Sequence, residues 1–300
     1  MRQTILLIGG TGFVGSHMQR ELGAEFNVAA TGHTRDIRDA VQIASLVKEV
    51  EPDLVINFAS ITTVRESFLE PLGAYEIGFL GSLNLLLALK ANKFQGTMLN
   101  ISSSEVYGFT SDDQLPITEN APLQPMSPYS VSKAATEALC YQWSQTEMFS
   151  IITARPFTHI GPGQSERFAI SNFAKQLSEI LLRKRDPVIH VGDLDTSRDF
   201  TDVRDVVRAY KLLLGKGRNG HCYNVCSATE TSMRTLLHEL VELSGMEVKI
   251  EPDESLMRKA EQRRTCGSCR KIREETGWHP TIPLSVTLSD TLSHWIEKLE

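Results

Sequence analysis

The sequence predicts an α/β fold: a doubly wound parallel sheet of the Rossmann type, with a second, smaller α/β domain set over its strand ends. Three observations carry this. Short apolar runs alternate with helical segments from the N-terminus to about residue 155, as in a parallel sheet covered on both faces. The first run, Thr4-Ile-Leu-Leu-Ile8, passes directly into Gly9-Gly-Thr-Gly12-Phe-Val-Gly15 and then into a helical stretch ending near Leu22. Beyond Pro156 the alternation loosens into shorter elements joined by loops, as expected of a smaller unit that covers the crevice where open α/β sheets bind ligands.

The elements justify themselves in order. The opening turn has G-x-x-G-x-x-G spacing. Glycines there tighten the turn and bring backbone N–H groups and a helix N-terminus up to a phosphate. With a legible strand before it and a helix after it, the turn reads as a dinucleotide-binding element. Phe26 to Thr31 is the second strand. An acid that holds a ribose hydroxyl is expected at its end, but Thr31, Gly32 and His33 stand there, with Arg35 close behind. The missing acid leaves room for a 2′-phosphate that Arg35 can pair with, so NADP(H) is expected ahead of NAD(H). The competing reading of Arg35 is an ordinary loop charge. A helix from about Ala40 to Val50, a strand from Asp53 to Ala59, a long helix from about Pro71 to Ala91 and a strand from Gly96 to Ser102 follow. After a proline-bearing loop comes a helix from Tyr129 to about Gln145, then a strand from Ser150 to Arg155 closed by Pro156. In the second half Ile160 to Ser165 reads as loop, Phe168 to Lys184 as helix and Val188 to Gly192 as strand. Arg198 to Asp205 reads as the entry to a helix ending near Leu214; Tyr223 to Cys226 and Val248 to Glu251 read as strands around a helix from Met233 to Gly245.

A chain of 300 residues has room for one large or two moderate domains, and a hydrophobic fraction of 41% suits a full core. The net charge of −6, with no basic block, argues against a nucleic-acid partner. No apolar run approaches the roughly 18 residues that span a bilayer, and the apolar start runs into glycines, so it reads as a first buried strand and not as a signal peptide. A cytoplasmic protein without a membrane partner is expected. The five cysteines are Cys140, Cys222, Cys226, Cys266 and Cys269. Cys266-Gly-Ser-Cys269 has C-x-x-C spacing, but a zinc site wants a second pair, and Cys222 and Cys226 offer only a wider one. A thioredoxin-like motif belongs near a βαβ unit, whereas this one follows a charged stretch. No metal is expected, and the thiols are expected to be free and at the surface or half-buried.

Two segments carry chemistry. Asn100-Ile-Ser-Ser-Ser-Glu-Val-Tyr-Gly-Phe109 ends a strand with small hydroxyls and one carboxylate. Tyr129-Ser-Val-Ser-Lys133 puts a phenol and an ammonium four residues apart, on one face of a helix. At an effective dielectric near 20, a unit charge about 4 Å away is worth roughly 4 kcal/mol. Lys133 is therefore expected to lower the pKa of Tyr129 and fit it to exchange a proton with a carbonyl or alcohol. Ser103 stands ready to hold the same oxygen.

With the glycine turn, the serine strand end and the Tyr-Lys pair in one order on one sheet, the chain resembles the extended short-chain dehydrogenase/reductase family that acts on nucleotide sugars. Within it the resemblance is to the reductases of GDP-4-keto-6-deoxy-D-mannose. It rests on Pro125-Met-Ser-Pro-Tyr129-Ser-Val-Ser-Lys133, Ala154-Arg-Pro-Phe-Thr-His-Ile-Gly-Pro-Gly-Gln164, Ser197-Arg-Asp-Phe-Thr-Asp-Val-Arg-Asp205, Tyr223-Asn-Val-Cys226 and Thr276-Gly-Trp-His-Pro280, and covers nearly the whole chain. It implies a dinucleotide-binding domain of residues 1–156 and about 198–220, and a nucleotide-sugar domain of residues 157–197 and 221–300. It implies Ser103, Tyr129 and Lys133 as the catalytic set, with Lys133 also on the nicotinamide ribose. Gly9, Thr11, Gly12, Phe13, Val14 and Gly15 are implied at the cofactor's pyrophosphate turn, Asp36 and Ile37 against the adenine, and Phe58, Ala59, Ser60 and Pro156 beside the cofactor. Ser104, Thr158, Arg198, Arg258 and Glu261 are implied on the GDP-sugar side, where a guanidinium suits a diphosphate. The product expected is GDP-D-rhamnose.

The chain departs from the family pattern at Gly78 and Thr158, where the family usually carries Asn, and in a very short loop after the second strand. The alternative function is that of a GDP-mannose 4,6-dehydratase. Those enzymes share the catalytic set and add a Glu that takes the C5 proton during water loss; Glu105 occupies that motif position. The dehydratases use a long loop after the second strand to build a tetramer, and Thr31-Gly-His-Thr-Arg-Asp36 has no room for it. A homodimer through the helices near 71–91 and 129–145 is expected instead.

Overall fold

Mostly apolar runs assemble into one parallel sheet, and shorter strands make up two smaller sheets beside it. The computed structural model describes residues 2–32, 35–61, 63–257 and 262–300. In chain order, β1 (Thr4–Ile8), α1 (Phe13–Leu22), β2 (Asn27–Ala30), α2 (Ala40–Val50) and β3 (Leu54–Asn57) precede α3 (Val64–Leu69), α4 (Pro71–Tyr75), α5 (Gly81–Ala91) and β4 (Thr97–Ile101). Then come α6 (Pro128–Thr146), β5 (Ser150–Pro156), β6 (Thr158–Ile160), α7 (Ala169–Leu181), β7 (Val188–Val191), β8 (Ser197–Asp202) and α8 (Val203–Lys216). The chain closes with β9 (Cys222–Val225), β10 (Glu230–Ser232), α9 (Met233–Ser244), β11 (Lys249–Pro252), α10 (Arg270–Thr276) and α11 (Leu284–Leu299).

The large sheet has the order β2-β1-β3-β4-β5-β9, with every pair parallel. The order reverses at β1 and β3, so a crevice opens beyond the carboxyl ends of those strands. Alternate residues of β1 enter opposite cores. Ile5 and Leu7 pack with Tyr107, Ile152, Tyr210 and Trp278, while Leu6 and Ile8 pack with Ile43, Leu85, Met98 and Trp143. A third core, around Phe173, Leu177, Leu237 and Trp295, lies in the smaller lobe, whose sheets are β10-β8-β6 and β11-β7. Each such fully buried Leu or Ile contributes on the order of 2 kcal/mol.

The helix that carries Tyr129 and Lys133 begins where its sequence says it should. Ser127 accepts a 3.1 Å hydrogen bond from the Ser130 N–H, and Pro128 fills the first turn.

The structure differs from the sequence reading in several places. β9 completes the large sheet against β5, and Cys269, Ile272 and Trp278 sit in its core. Part of residues 221–300 thus packs with the dinucleotide lobe, because the edge of β5 offers an unpaired parallel partner. The expected long helix is broken into α4 and α5 by a π-turn at Glu76–Leu80. The Gly78 carbonyl there accepts from Ser82 Oγ at 2.6 Å and from Thr136 Oγ1 at 3.0 Å, side chains that compete with the helix ladder. Taken through that turn, Pro71–Ala91 is long and apolar enough to cross a bilayer by length and composition, which corrects the expectation that no run approaches that length. Half of its most apolar window is buried in the fold. The short strands β6 and β8 and the helices α3, α10 and α11 were not expected. Three of the five free thiols, Cys140, Cys226 and Cys269, are buried and not at the surface.

Candidate active site

The glycine turn and the end of β3 meet at the reversal point. Gly9 has φ of +73°, and a Cβ there would lie 3.2 Å from the Ala59 nitrogen. A Cβ on Gly15 would run into the Gly10 carbonyl, so α1 could not approach the turn. Gly12 stands just before α1 and Thr11 is exposed beside it, while Phe13 and Val14 begin the helix half-buried. Phe58, Ala59 and Ser60 form the facing rim, with the Ala59 N–H donating to Asn57 Oδ1 at 3.1 Å. Three buried polar atoms at these strand ends, Ser60 Oγ, Asn100 Nδ2 and Ser102 Oγ, lack a hydrogen-bond partner. A glycine-rich turn at a helix N-terminus, with unpartnered polar atoms near it, fits a dinucleotide pyrophosphate.

Where the adenine side is expected, Arg35 is half-exposed and its Nη2 lies 3.6 Å from Glu49 Oε2. The Asp36 carboxylate accepts from Arg38 Nε and Nη2, the latter at 2.6 Å, and those hydrogen bonds hold its carboxyl below the usual range. Ile37 is buried under α5, where a Cβ on Gly81 would meet its side chain.

Ser103, Tyr129 and Lys133 come together at the end of β4. Ser103 caps the turn Ser104–Tyr107 by accepting from the Glu105 N–H at 3.2 Å, and its side chain also hydrogen-bonds Tyr129. Lys133 is 5% exposed; its ammonium donates to the Ile101 carbonyl at 2.7 Å and stands 5.8 Å from the centroid of the Tyr129 ring. Burial pushes the Tyr129 phenol up to about 12, Ser103 pulls it back, and the charge of Glu105 adds to the rise. The expectation that Lys133 makes this phenol acidic is corrected: burial dominates, and the ammonium is engaged by a carbonyl. Burial likewise brings Lys133 down to about 8, against the opposing charge of Glu137. Glu105 is exposed and near enough to act on Tyr129.

Of the residues expected on the sugar side, Ser104 is half-buried and Thr158 is exposed on β6. Pro156, assigned to the cofactor, is the buried last residue of β5. Arg198 lies half-buried on β8, with Nη1 donating to the Ser197 carbonyl at 2.8 Å and the Arg263 carbonyl at 3.3 Å. Arg258 and Glu261 lie outside the described residues.

Three features escaped the sequence reading. Gly78 lets the π-turn touch the catalytic helix, since a Cβ there would fall 2.8 Å from Ser132 Oγ; Ser82 Oγ accepts from Asn57 Nδ2 at 2.9 Å while binding the Gly78 carbonyl. The Phe13 ring stacks on His159 at 6.2 Å, and His17 Nε2 is 2.8 Å from the Pro162 carbonyl, so the glycine-turn helix is joined to the loop after β6. Finally, Glu137, Arg155, Tyr107 and Asn224 form a buried network behind Lys133. The spacing of Lys133 and Glu137, one helical turn apart, was the available signal for it.

Comparison with known proteins agrees with this geometry. A family model described as GDP-mannose 4,6 dehydratase matches residues 24–291. The GDP-6-deoxy-D-mannose reductase of Pseudomonas aeruginosa is 43% identical over 298 residues, covering 98% of each chain. The structure of RMD from Pseudomonas aeruginosa complexed with NADPH superposes with a TM-score of 0.93 at 42% identity, covering 99% of both chains. A dTDP-glucose 4,6-dehydratase of Xanthomonas campestris is 28% identical over 87% of this chain and 77% of its own. With a family model across most of its length and a relative this similar from end to end, the chain belongs to the GDP-mannose 4,6-dehydratase family within the extended short-chain dehydrogenase/reductases.

Proposed function

We propose that the protein reduces the C4 keto group of GDP-4-keto-6-deoxy-D-mannose to GDP-D-rhamnose, using NADP(H) ahead of NAD(H). The observation that carries this reading is the similarity to the GDP-6-deoxy-D-mannose reductase, 43% over 98% of both chains. The structure of RMD complexed with NADPH supports the cofactor. Gly9, Gly12 and Gly15 would cradle the pyrophosphate, Arg35 the 2′-phosphate, and Lys133 the nicotinamide ribose. Bound there, the reduced nicotinamide supplies the hydride that C4 receives.

The chain's own groups manage the charge that follows. As negative charge develops on the C4 oxygen, Tyr129 donates its phenolic proton to it. Ser103, already hydrogen-bonded to Tyr129, orients that oxygen. Arg198 binds the diphosphate, and Ser104 and Thr158 bound the sugar. Elimination of water, with Glu105 as the C5 base, is the second reading. The dehydratase relative, at 28% identity against 43% for the reductase, supports it less. Incubation with the keto sugar and each reduced cofactor, followed by NMR of the product, tests the proposal. A talo product or no cofactor consumption overturns it, and loss of water from GDP-mannose without net cofactor change establishes the second reading.

The assembly we propose is a homodimer. Leu72, Tyr75, Leu80 and Leu87 on α4, the π-turn and α5, with Val131 and Tyr141 on α6, are exposed. They give the paired helices of two copies an apolar surface to bury. Light scattering at micromolar concentration tests this, and a monomer there refutes it. A cytoplasmic location is proposed too, supported by five free cysteines, which suit a reducing compartment; cell fractionation tests it.

A further inference from the structure

Arg155 joins the catalytic helix to three other parts of the fold. Its Nε donates to Glu137 Oε1 at 3.0 Å and Oε2 at 3.1 Å, and its Nη2 donates to Oε2 at 2.6 Å. Its Nη1 donates to Tyr107 Oη at 2.9 Å and to the Glu119 carbonyl at 3.1 Å, and its guanidinium lies 5.0 Å from the centre of the Tyr107 ring. Tyr107 Oη donates onward to Asn224 Oδ1 at 2.7 Å, and Asn224 Nδ2 donates to the Ile117 carbonyl at 3.0 Å. The guanidinium is thus bonded on both edges, a task for a planar fork and not for an ammonium. Glu137 and Arg155 are 8% and 5% exposed. A buried ion pair of this kind is weak evidence for stability, since apolar residues of equal volume often serve as well. Its position suggests another use: Glu137 follows Lys133 by one turn on the same helix face.

We propose that the buried Glu137–Arg155 pair is a positioning device for the reaction, in which Glu137 sustains the positive charge of Lys133 and Arg155, locked by Tyr107 and Asn224, limits how much of that support Lys133 receives. The kinetic part of this proposal rests on the reductase reading; the electrostatic part stands without it.

The charges around Lys133 leave Glu137 as the relevant anion. On α6 itself, Cys140 is the other group that acts on Lys133, but burial pushes its thiol up to about 12, so it is neutral where Lys133 titrates, near 8. The elements packed on α6 carry Arg65 and Glu66 on α3, Tyr75 on α4, Glu76 in the π-turn, Glu105 and Tyr107 in the turn after β4, and Arg155 on β5. Glu66 is paired with Arg167 and Glu76 with Arg38, while Glu105 acts on Tyr129. Burial raises the Tyr107 phenol far out of the neutral range.

The test reads Lys133 directly. In protein labelled with 13C-lysine, the ε-carbon signal of Lys133, assigned by its loss in Lys133→Met, is titrated by NMR. Glu137→Gln leaves Arg155 as an unpaired cation and is expected to lower the midpoint by about one pH unit. Arg155→Gln frees the whole charge of Glu137 and is expected to raise it. The double variant is expected to fall between the two. A midpoint that stays put, or moves the same way in both single variants, overturns the proposal. Should one single variant not fold, the other still decides: a Lys133 midpoint in the folded variant that coincides with that of the wild type refutes the electrostatic role. In the reduction assay, the alkaline limb of kcat/KM is expected to follow the same midpoints, whereas a merely structural pair would lower activity equally at every pH. If no reduction is seen at all, the NMR titration still decides the electrostatic proposal, and the failure belongs to the functional reading.

Discussion

Tyr129→Phe keeps the ring beside the Lys133 ammonium, 5.8 Å from its centroid, and deletes the hydroxyl that meets Ser103. With the phenol pushed up to about 12 by burial and the charge of Glu105, Tyr129 carries its proton at neutral pH and is in the form that donates. Loss of a general acid lowers kcat by roughly 10²–10⁴-fold, or about 3–5 kcal/mol of barrier. Ser103 remains to hold the substrate oxygen, which accounts for the residual rate. The apoprotein loses one hydrogen bond, a change of about 1 kcal/mol, so Tm should move little. The assay is steady-state reduction of the keto sugar, with NADPH affinity from fluorescence titration and Tm from calorimetry. A kcat within tenfold of the wild type, with NADPH binding and Tm unchanged, would show that another group supplies the proton.

Glu105→Gln removes a charge that raises the Tyr129 phenol, so reduction should continue within about tenfold of the wild-type rate; a loss as deep as that of Tyr129→Phe would favour water elimination. Arg35→Ala should weaken NADPH roughly fivefold, the value of an exposed charge pair near 1 kcal/mol, and leave NADH unchanged; equal loss for both cofactors in fluorescence titration would make Arg35 a loop charge. Gly78→Ala places a Cβ 2.8 Å from Ser132 Oγ and 3.1 Å from Ser132 Cβ, an overpacking worth about 1–3 kcal/mol; an unchanged Tm would contradict the close approach. Wild-type kcat/KM should fall as pH rises through about 8, where Lys133 loses its charge. Since the folded state then binds fewer protons than the unfolded chain, the cost of burying charged Lys133 is relieved and stability should rise with pH between about 8 and 10.5; a denaturation midpoint insensitive to pH across that window would place Lys133 in a more solvated site.

What was legible in the sequence was local. The apolar run of β1, the glycine steps after it and the helix of α1 are signalled by neighbouring residues, and so is the face shared by Tyr129 and Lys133. The structure brings Ser103 to Tyr129 and Tyr129 beside Lys133, as the motifs imply. What was not legible depends on distant partners. The π-turn at Gly78 exists partly because Thr136, 58 residues away in the chain, reaches its carbonyl. The strand Ser197–Asp202 has the polar sequence SRDFTD, without the apolar run by which strands are found, because it sits in a small sheet whose carboxylates cap turns and helices. Asp199 accepts from the Ser227 and Ala228 N–H groups, and Asp202 from the Arg204 N–H. By contrast α11 carried a readable signal, with Leu284, Leu288, Leu292 and Trp295 at helical spacing. The sheet that Tyr223-Asn-Val225 joins was not legible either, since the run carries no hint of its partner; it pairs with β5.

The titration order of Tyr129 and Lys133 explains why shared-face spacing misjudges the phenol and still points to the right chemistry. Lys133 sheds its proton near 8, while Tyr129 holds its own to about 12. By the pH at which the phenol ionises, its neighbour is neutral and gives no help, so Ser103 is left to pull against burial. Turnover at neutral pH meets a different neighbour. There Lys133 is an ammonium, and the phenolate formed as Tyr129 gives its proton to the substrate oxygen finds a full positive charge close by. Nζ stands 5.8 Å from the ring centroid, and a nearby opposite charge favours the ionised form. Tyr129 therefore gives its proton more readily while Lys133 is charged than after Lys133 has lost its own. A resting phenolate, which proton abstraction would require, is disfavoured under the same conditions. The arrangement suits the direction in which a carbonyl oxygen gains a proton, and it ties activity to the charge of Lys133: the rate should fall while Tyr129 is still fully protonated.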